Sequence, residues 1–232
     1  MNSVRAHPLF RLVCLLFLLS GFSGLVYQTL WLRVLSRVLG NTVYATAVVV
    51  ASFMAGLALG AFFLGQRADH FKRPLLVYGL VELAIGCSAF AATGLMENLL
   101  PVTRSLFAAT GPWRTGLTCA QTGLLFLVLL APAFLMGGTF PLLVSFTRGL
   151  SSSFTARTGT LYGMNTLGAV TGVFATGFFL IARLGESGTL KLAVLINLVV
   201  ALGSFLVLRA RSGASPRRED SGPARSEEHT SE

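Results

Sequence analysis

Charge is what this 232-residue sequence lacks. Asp, Glu, Lys and Arg make up 12% of it, about half the share of a soluble domain, and aspartate occurs only at Asp69 and Asp220. That poverty, with 53% apolar residues and a mean hydropathy of +0.73, excludes a water-soluble globular protein. Cysteine is scarce too. Cys14, Cys87 and Cys119 stand singly in apolar runs, without C-x-x-C spacing or a nearby histidine, which predicts small fillers of helix contacts and neither a disulfide framework nor a metal site. Also missing are a G-x-G-x-x-G after a strand, a P-loop, an H-E-x-x-H and a serine nucleophile elbow, so no soluble catalytic domain is legible and no catalytic residue or cofactor is assigned.

What the sequence has is long apolar runs. A membrane-spanning helix needs about 20 mostly apolar residues, and six segments qualify: Leu9 to Leu30, Val43 to Leu64, Leu75 to Leu95, Leu117 to Met136, Leu161 to Leu184 and Leu190 to Leu208. The expected fold is an all-α, polytopic helix bundle over residues 1–208, with the lipid bilayer as its first partner. Arg5 and the small residues Ser20 to Gly24 would suit a cleaved signal peptide. Apolar character resumes at Leu25, however, and no A-x-A-like site appears, so the first helix is expected to stay. With the N-terminus inside, the inner segments hold eleven Lys or Arg and the outer ones six. This bias predicts that both termini are cytoplasmic. It also accounts for the net charge of +9 as topology control, with no nucleic-acid partner.

Beyond Leu208 the composition turns to Arg, Ser, Gly, Pro and acids, which reads as a cytoplasmic disordered linker over 209–224. The final octapeptide, Arg225 to Glu232, reads like a translated sequencing adapter and is set aside as non-native. The natural chain is then expected to continue past Ala224. Between the third and fourth runs, Met96 to Trp113 is expected to form an outer loop with a short helix at the interface, interrupted by Pro101 and Pro112. Gly137-Gly138-Thr139-Phe140-Pro141 predicts either a broken, re-entrant segment or a plain inner turn.

Small residues recur at helical spacing: Ser52, Gly56 and Gly60 on the second helix, and Gly168, Gly172 and Thr176 on the fifth. Lipid tails give helices no hydrophobic reason to associate, so such faces are packing seams, with a substrate path as the other use. The second and fifth runs also echo each other, opening on Thr42-Val43-Tyr44-Ala45 and Thr160-Leu161-Tyr162-Gly163 and closing on Phe62-Phe63-Leu64 and Phe178-Phe179-Leu180. Three helices apart, the echo predicts a three-plus-three inverted repeat.

Four polar residues form a candidate intramembrane site. Glu82 is the only acid within a span, where an unpaired carboxylate costs on the order of 2.5–3.5 kcal/mol. It is either a proton-titrating or cation-binding group, or a structural anchor paired with Arg11, Arg33 or Arg37 or hydrogen-bonded to Gln28. Asn165 and Asn197 either hydrogen-bond between helices or touch a ligand. Around Gln28, the residues Tyr27, Trp31 and Arg33 read as an interfacial aromatic belt with a snorkelling arginine.

The inner loop from Gly65 to Pro74 is similar to the loop at the same place in major facilitator transporters, although His70 stands where that family has arginine. The similarity implies a charge relay of Asp69, Arg67 and Arg73, with Asp69 either capping the third helix or pairing with Arg73.

Several stretches together carry a wider resemblance. They are Ser20 to Gln28 with Trp31 and Arg33, Phe53 to Gly60, the Gly65 to Pro74 loop, Gly138 to Leu143, and Leu161-Tyr162 with Asn165 to Ala169. In combination they resemble the N-terminal membrane region of bacterial membrane-fused spermidine synthase-like proteins. The resemblance covers Leu9 to Leu208 and implies a cytoplasmic aminopropyltransferase domain downstream, the missing C-terminal partner of this module. Decarboxylated S-adenosylmethionine is implied for that domain alone. The module itself would anchor the enzyme and move polyamine or a related product. The alternative expectation is a major-facilitator-type transporter or transporter half without enzymatic activity.

Overall fold

A computed structural model describes residues 8–109, 114–148 and 154–213. The described chain forms α1 (Pro8–Leu39), α2 (Thr42–Ala68), α3 (Pro74–Ala109), α4 (Arg114–Arg148), α5 (Phe154–Ala175), a π-helical turn (Thr176–Leu180) and α6 (Ile181–Gly213). The all-α expectation holds: no strand occurs among the described residues. Five stretches are long and apolar enough to cross a membrane, Leu9–Leu39, Thr42–Ala68, Pro74–Leu99, Gly116–Arg148 and Phe154–Arg209. This is the architecture of a multi-pass membrane protein.

Local chemistry sets the helix ends. Gly40 leaves α1 at φ 67°, a left-handed turn that costs glycine little. Asn41 then caps α2, its side chain accepting from the backbone N–H of Val43 at 2.8 Å and of Tyr44 at 3.3 Å. Pro74 opens α3, where its missing N–H is no loss. Within α6, Gly185 has φ 69° and ψ 179°, a backbone region open to glycine and nearly closed to other residues.

Gly185 turns the chain back on itself. Before it, α5 ascends along α1, with Gly168 against Leu18 and Gly172 against Phe22. After it, the order reverses: Glu186 meets Arg37, Asn197 meets Tyr27 and Gly203 meets Leu16. α1 therefore packs with α5 and α6, α4 packs with α2 and α3, and the two groups meet where α3 lies along α6. Large apolar side chains such as Val43, Phe62, Val170, Phe178 and Leu206 point outward, an exposed apolar surface far beyond what a soluble monomer presents.

Two loop expectations are corrected. Met96 does not begin an outer loop, because α3 continues helically through Pro101 to Ala109; Thr110 to Trp113 lie outside the described residues. Nor does Gly137 to Pro141 break or turn. α4 runs through Pro132 and Pro141 to Arg148, and its glycines serve close packing against α2. A Cβ on Gly137 would overlap the Leu57 carbonyl oxygen, and one on Gly138 the Leu64 side chain. The expected linker and adapter-like octapeptide lie outside the described residues beyond Gly213, with α6 running helically past Leu208 into the start of the linker.

The small-residue faces lie at helix crossings. Ser52 is buried on α2, and Cβ atoms on Gly56 and Gly60 would overlap Ala133 and the Phe134 carbonyl oxygen of α4. On Gly168 and Gly172 they would strike the carbonyl oxygens of Leu18 and Phe22. Backbone-to-backbone approach of this kind is how helices hold together in lipid. Of the cysteines, Cys14 is buried, while Cys87 and Cys119 are exposed.

Candidate functional site

Glu82 lies on the α3 face that meets α1 and α6 and has no exposed surface. Ser20 of α1 donates its hydroxyl to Glu82 Oε1 at 2.6 Å, and Asn197 of α6 donates its amide nitrogen to Oε2 at 2.7 Å. Asn197 in turn accepts the Tyr27 hydroxyl at 2.9 Å. The Tyr27 ring stacks on Trp31 at 5.8 Å, and Trp31 Nε1 donates to Thr93 Oγ1 at 3.1 Å. One turn before Glu82, the buried Tyr78 hydroxyl lies against Ser20 and the Glu82 carboxyl without a hydrogen bond of good geometry.

The electrostatic setting is unusual. Both donors to the carboxyl are neutral, and the three ion pairs formed among the described residues, Arg33 with Glu186, Arg37 with Glu186 and Arg148 with Asp69, leave Glu82 out. A buried acid that receives two hydrogen bonds but no cation is stable as the neutral carboxylic acid or when a cation is brought to it.

The structure unites two of the four expected site residues, Glu82 and Asn197, and separates the other two. Gln28 does not reach Glu82. It sits on the far side of α1, in a shallow groove with Thr29, Thr46 and Val173. Asn165 packs its side chain against Gly21, also away from Glu82. The expected arginine partners are elsewhere as well, because Arg33 and Arg37 extend past the end of the buried stretch to Glu186. Tyr27 and Trp31 are not an interfacial belt but are fully buried. Their polar atoms find partners on α6 and α3, which removes the need for water.

Sequence reasoning passed over Ser20 as a ligand to the acid, and passed over Tyr78 and Thr93 altogether. Tyr78 was within reach of it: residues four apart share a helix face, and an acid deep in a span selects polar neighbours at that spacing. Ser20 and Thr93 became visible only through the crossing of α1 and α3.

A cavity of about 130 Å³ opens where the Arg37 end of α1, the Glu97 stretch of α3 and the Glu186 end of α6 come together, with Thr93, Glu97, Glu186 and Lys191 in its wall. Thr93 joins this cavity to the Trp31–Tyr27–Asn197–Glu82 chain. At one rim, Glu186 receives both terminal nitrogens of Arg37 at 2.6 Å each.

At the opposite end of the bundle, the expected pairing of Asp69 changes. Asp69 pairs with Arg148, the last residue of α4, rather than with Arg73. It ends α2, while the N–H groups of Leu76 and Val77 at the start of α3 bond the Arg73 carbonyl. Arg67 folds back onto the Phe63 carbonyl of its own helix at 3.2 Å. Helix ends separated along the chain thus meet where the loop alone offered Arg73. Among the described residues, no three His, Cys, Asp or Glu gather as metal ligands. No known protein family, no curated protein and no solved structure matches this chain.

Proposed function

We propose that this chain is a six-crossing inner-membrane module made of two inverted three-helix repeats, the membrane part of a spermidine synthase-like fusion, and that it moves a small cationic solute. The stretch Phe154–Arg209 has 56 residues. As one helix it would be about 84 Å long, against a hydrocarbon core of about 30 Å, so it crosses twice with Gly185 at the outer turn.

The observation that carries the repeat is a match in packing register. On α2 and α4, Gly60 meets the Phe134 carbonyl oxygen, Gly137 meets the Leu57 carbonyl oxygen, and Leu64 meets Gly138. On α5 and α1, with the same spacings along each helix, Gly168 meets the Leu18 carbonyl oxygen, Gly21 meets the Asn165 carbonyl oxygen, and Gly172 meets Phe22. Exchanging the two repeats maps one set onto the other. It also maps the α3–α6 contact onto itself, Gly79 with Ala201 exchanging with Gly86 and Val194. The centre of that exchange is the hydrogen bond between Glu82 and Asn197, 115 residues apart. The register is not that of the sequence echo, which pairs Phe62-Phe63-Leu64 with Phe178-Phe179-Leu180 two turns too late.

A buried polar pair at the centre of an inverted repeat is where transporters of this construction hold solute or coupling ion. That supports movement over mere anchoring, and the resemblance implies a polyamine or related amine as the solute. The test is uptake of labelled putrescine and spermidine by proteoliposomes containing the chain. Movement above empty liposomes, lost in Glu82→Gln at equal insertion, is expected; no movement of either amine leaves the module an anchor.

The Asp69–Arg148 pair favours a second reading, a major-facilitator-type transporter half without an enzyme. The coding sequence downstream of Ala224 separates the two, through either a glycine-rich nucleotide-binding pattern or six further spans.

A further inference from the structure

Glu82 carries two hydrogen bonds, one on each oxygen, from Ser20 at 2.6 Å and Asn197 at 2.7 Å. A protonated carboxyl must also place its own O–H on an acceptor, while an ionised one accepts a further donor. Besides Ser20, whose hydroxyl already lies on Oε1, a group able to meet both needs by rotating its hydrogen is the Tyr78 hydroxyl. It is wholly buried, it faces Ser20 and Glu82, and it is without a partner of good geometry. Rotating its hydrogen turns it from an acceptor of the acid's proton into a donor to the carboxylate. The other groups around the carboxyl do not change charge to compensate: Ser20 and Asn197 are neutral, and Tyr27 spends its hydroxyl on Asn197.

Resting on the transport reading above, we infer that Glu82 is a reversible proton-binding site, with Tyr78 as the positioning residue that satisfies the carboxyl in both its protonated and its ionised form. The ligand is a single proton. It adds to a carboxylate oxygen to give the acid and leaves from the same atom, with no other bond made or broken.

Dicyclohexylcarbodiimide, an apolar reagent that attacks protonated carboxyls inside membranes, tests this on the full chain in liposomes. Mass spectrometry is expected to find Glu82 modified in acid and the yield to fall about tenfold or more across one titration toward alkali, as for a single carboxyl. Tyr78→Phe keeps the ring, and is expected to displace the pH range of modification, whereas Tyr44→Phe on the outer surface leaves it in place. Absence of modification at every pH, or a yield independent of pH, overturns the site. An unmoved pH range in a folded Tyr78→Phe protein overturns the role of Tyr78. Because the readout is protonation and not solute flux, Glu82 titrating in a protein that moves no amine would sink the transport reading and leave the proton site standing.

Discussion

Asn197 stands between Tyr27 and Glu82, taking the tyrosine hydroxyl at 2.9 Å on its amide oxygen and giving its amide nitrogen to the carboxyl at 2.7 Å. One side chain of α6 thereby joins α1 to α3. Its amide oxygen faces the Tyr27 hydroxyl and its nitrogen the carboxyl, the assignment that suits an ionised Glu82.

Asn197→Leu should therefore be more damaging than Glu82→Gln. The first strands both the Tyr27 hydroxyl and a carboxyl oxygen, while the second keeps an amide able to bond to Ser20 and Asn197. An orphaned buried polar group costs about 1–3 kcal/mol, and membrane hydrogen bonds average nearer 0.6 kcal/mol. Thermal unfolding in detergent should rank wild type first, Glu82→Gln second and Asn197→Leu last. The reverse order would show that Asn197 does not bridge the three helices.

The close-packed glycines should be intolerant where open ones are not. Gly60→Leu and Gly168→Leu drive a side chain into a carbonyl of the facing helix, and should abolish the monodisperse peak in size-exclusion chromatography. A methyl group added at Gly94 would meet nothing within 4 Å, so Gly94→Ala should be neutral or stabilise by about 0.5–1 kcal/mol, the helix-propensity gain over glycine. Equal behaviour of Gly94 and Gly168 would contradict the α1–α5 crossing.

Trp31 and Thr93 offer a double-mutant cycle. Trp31→Phe keeps a ring on Tyr27 but loses the Nε1 donor, and Thr93→Val removes the acceptor while keeping the shape. Each should destabilise by about 0.5–1.5 kcal/mol, and the double variant should cost less than the two added together. Strict additivity measured by reversible denaturation would mean that the 3.1 Å bond contributes nothing.

The turn at Gly185 makes a prediction about sidedness. In a chain with Cys14, Cys87 and Cys119 replaced by alanine, single cysteines at Asn41 and Ser187 should react with an impermeant maleimide from outside. Single cysteines at Lys72 and Thr155 should react only after the cells are opened. Labelling of Ser187 and Thr155 from opposite sides is what six crossings require; labelling from the same side refutes the double crossing of Phe154–Arg209.

Much of this molecule was written in its composition. With charge at 12%, long apolar runs have no soluble fold available, and in lipid a chain that must satisfy every backbone group internally becomes helix. Solvent, secondary structure and the oddity of Glu82 follow from that, as does the use of small residues where helices cross. Partnership did not follow, because it depends on which face of each helix turns inward and at what height two helices cross, and lipid-exposed and buried faces are almost equally apolar. Periodicity therefore could not distinguish Gln28, turned to an outer groove, from Tyr27 one residue before it. The crossing of α1, α3 and α6 brought Ser20 and Asn197 to Glu82. The same arrangement sent Arg33 and Arg37 to Glu186 and drew Asp69 to Arg148.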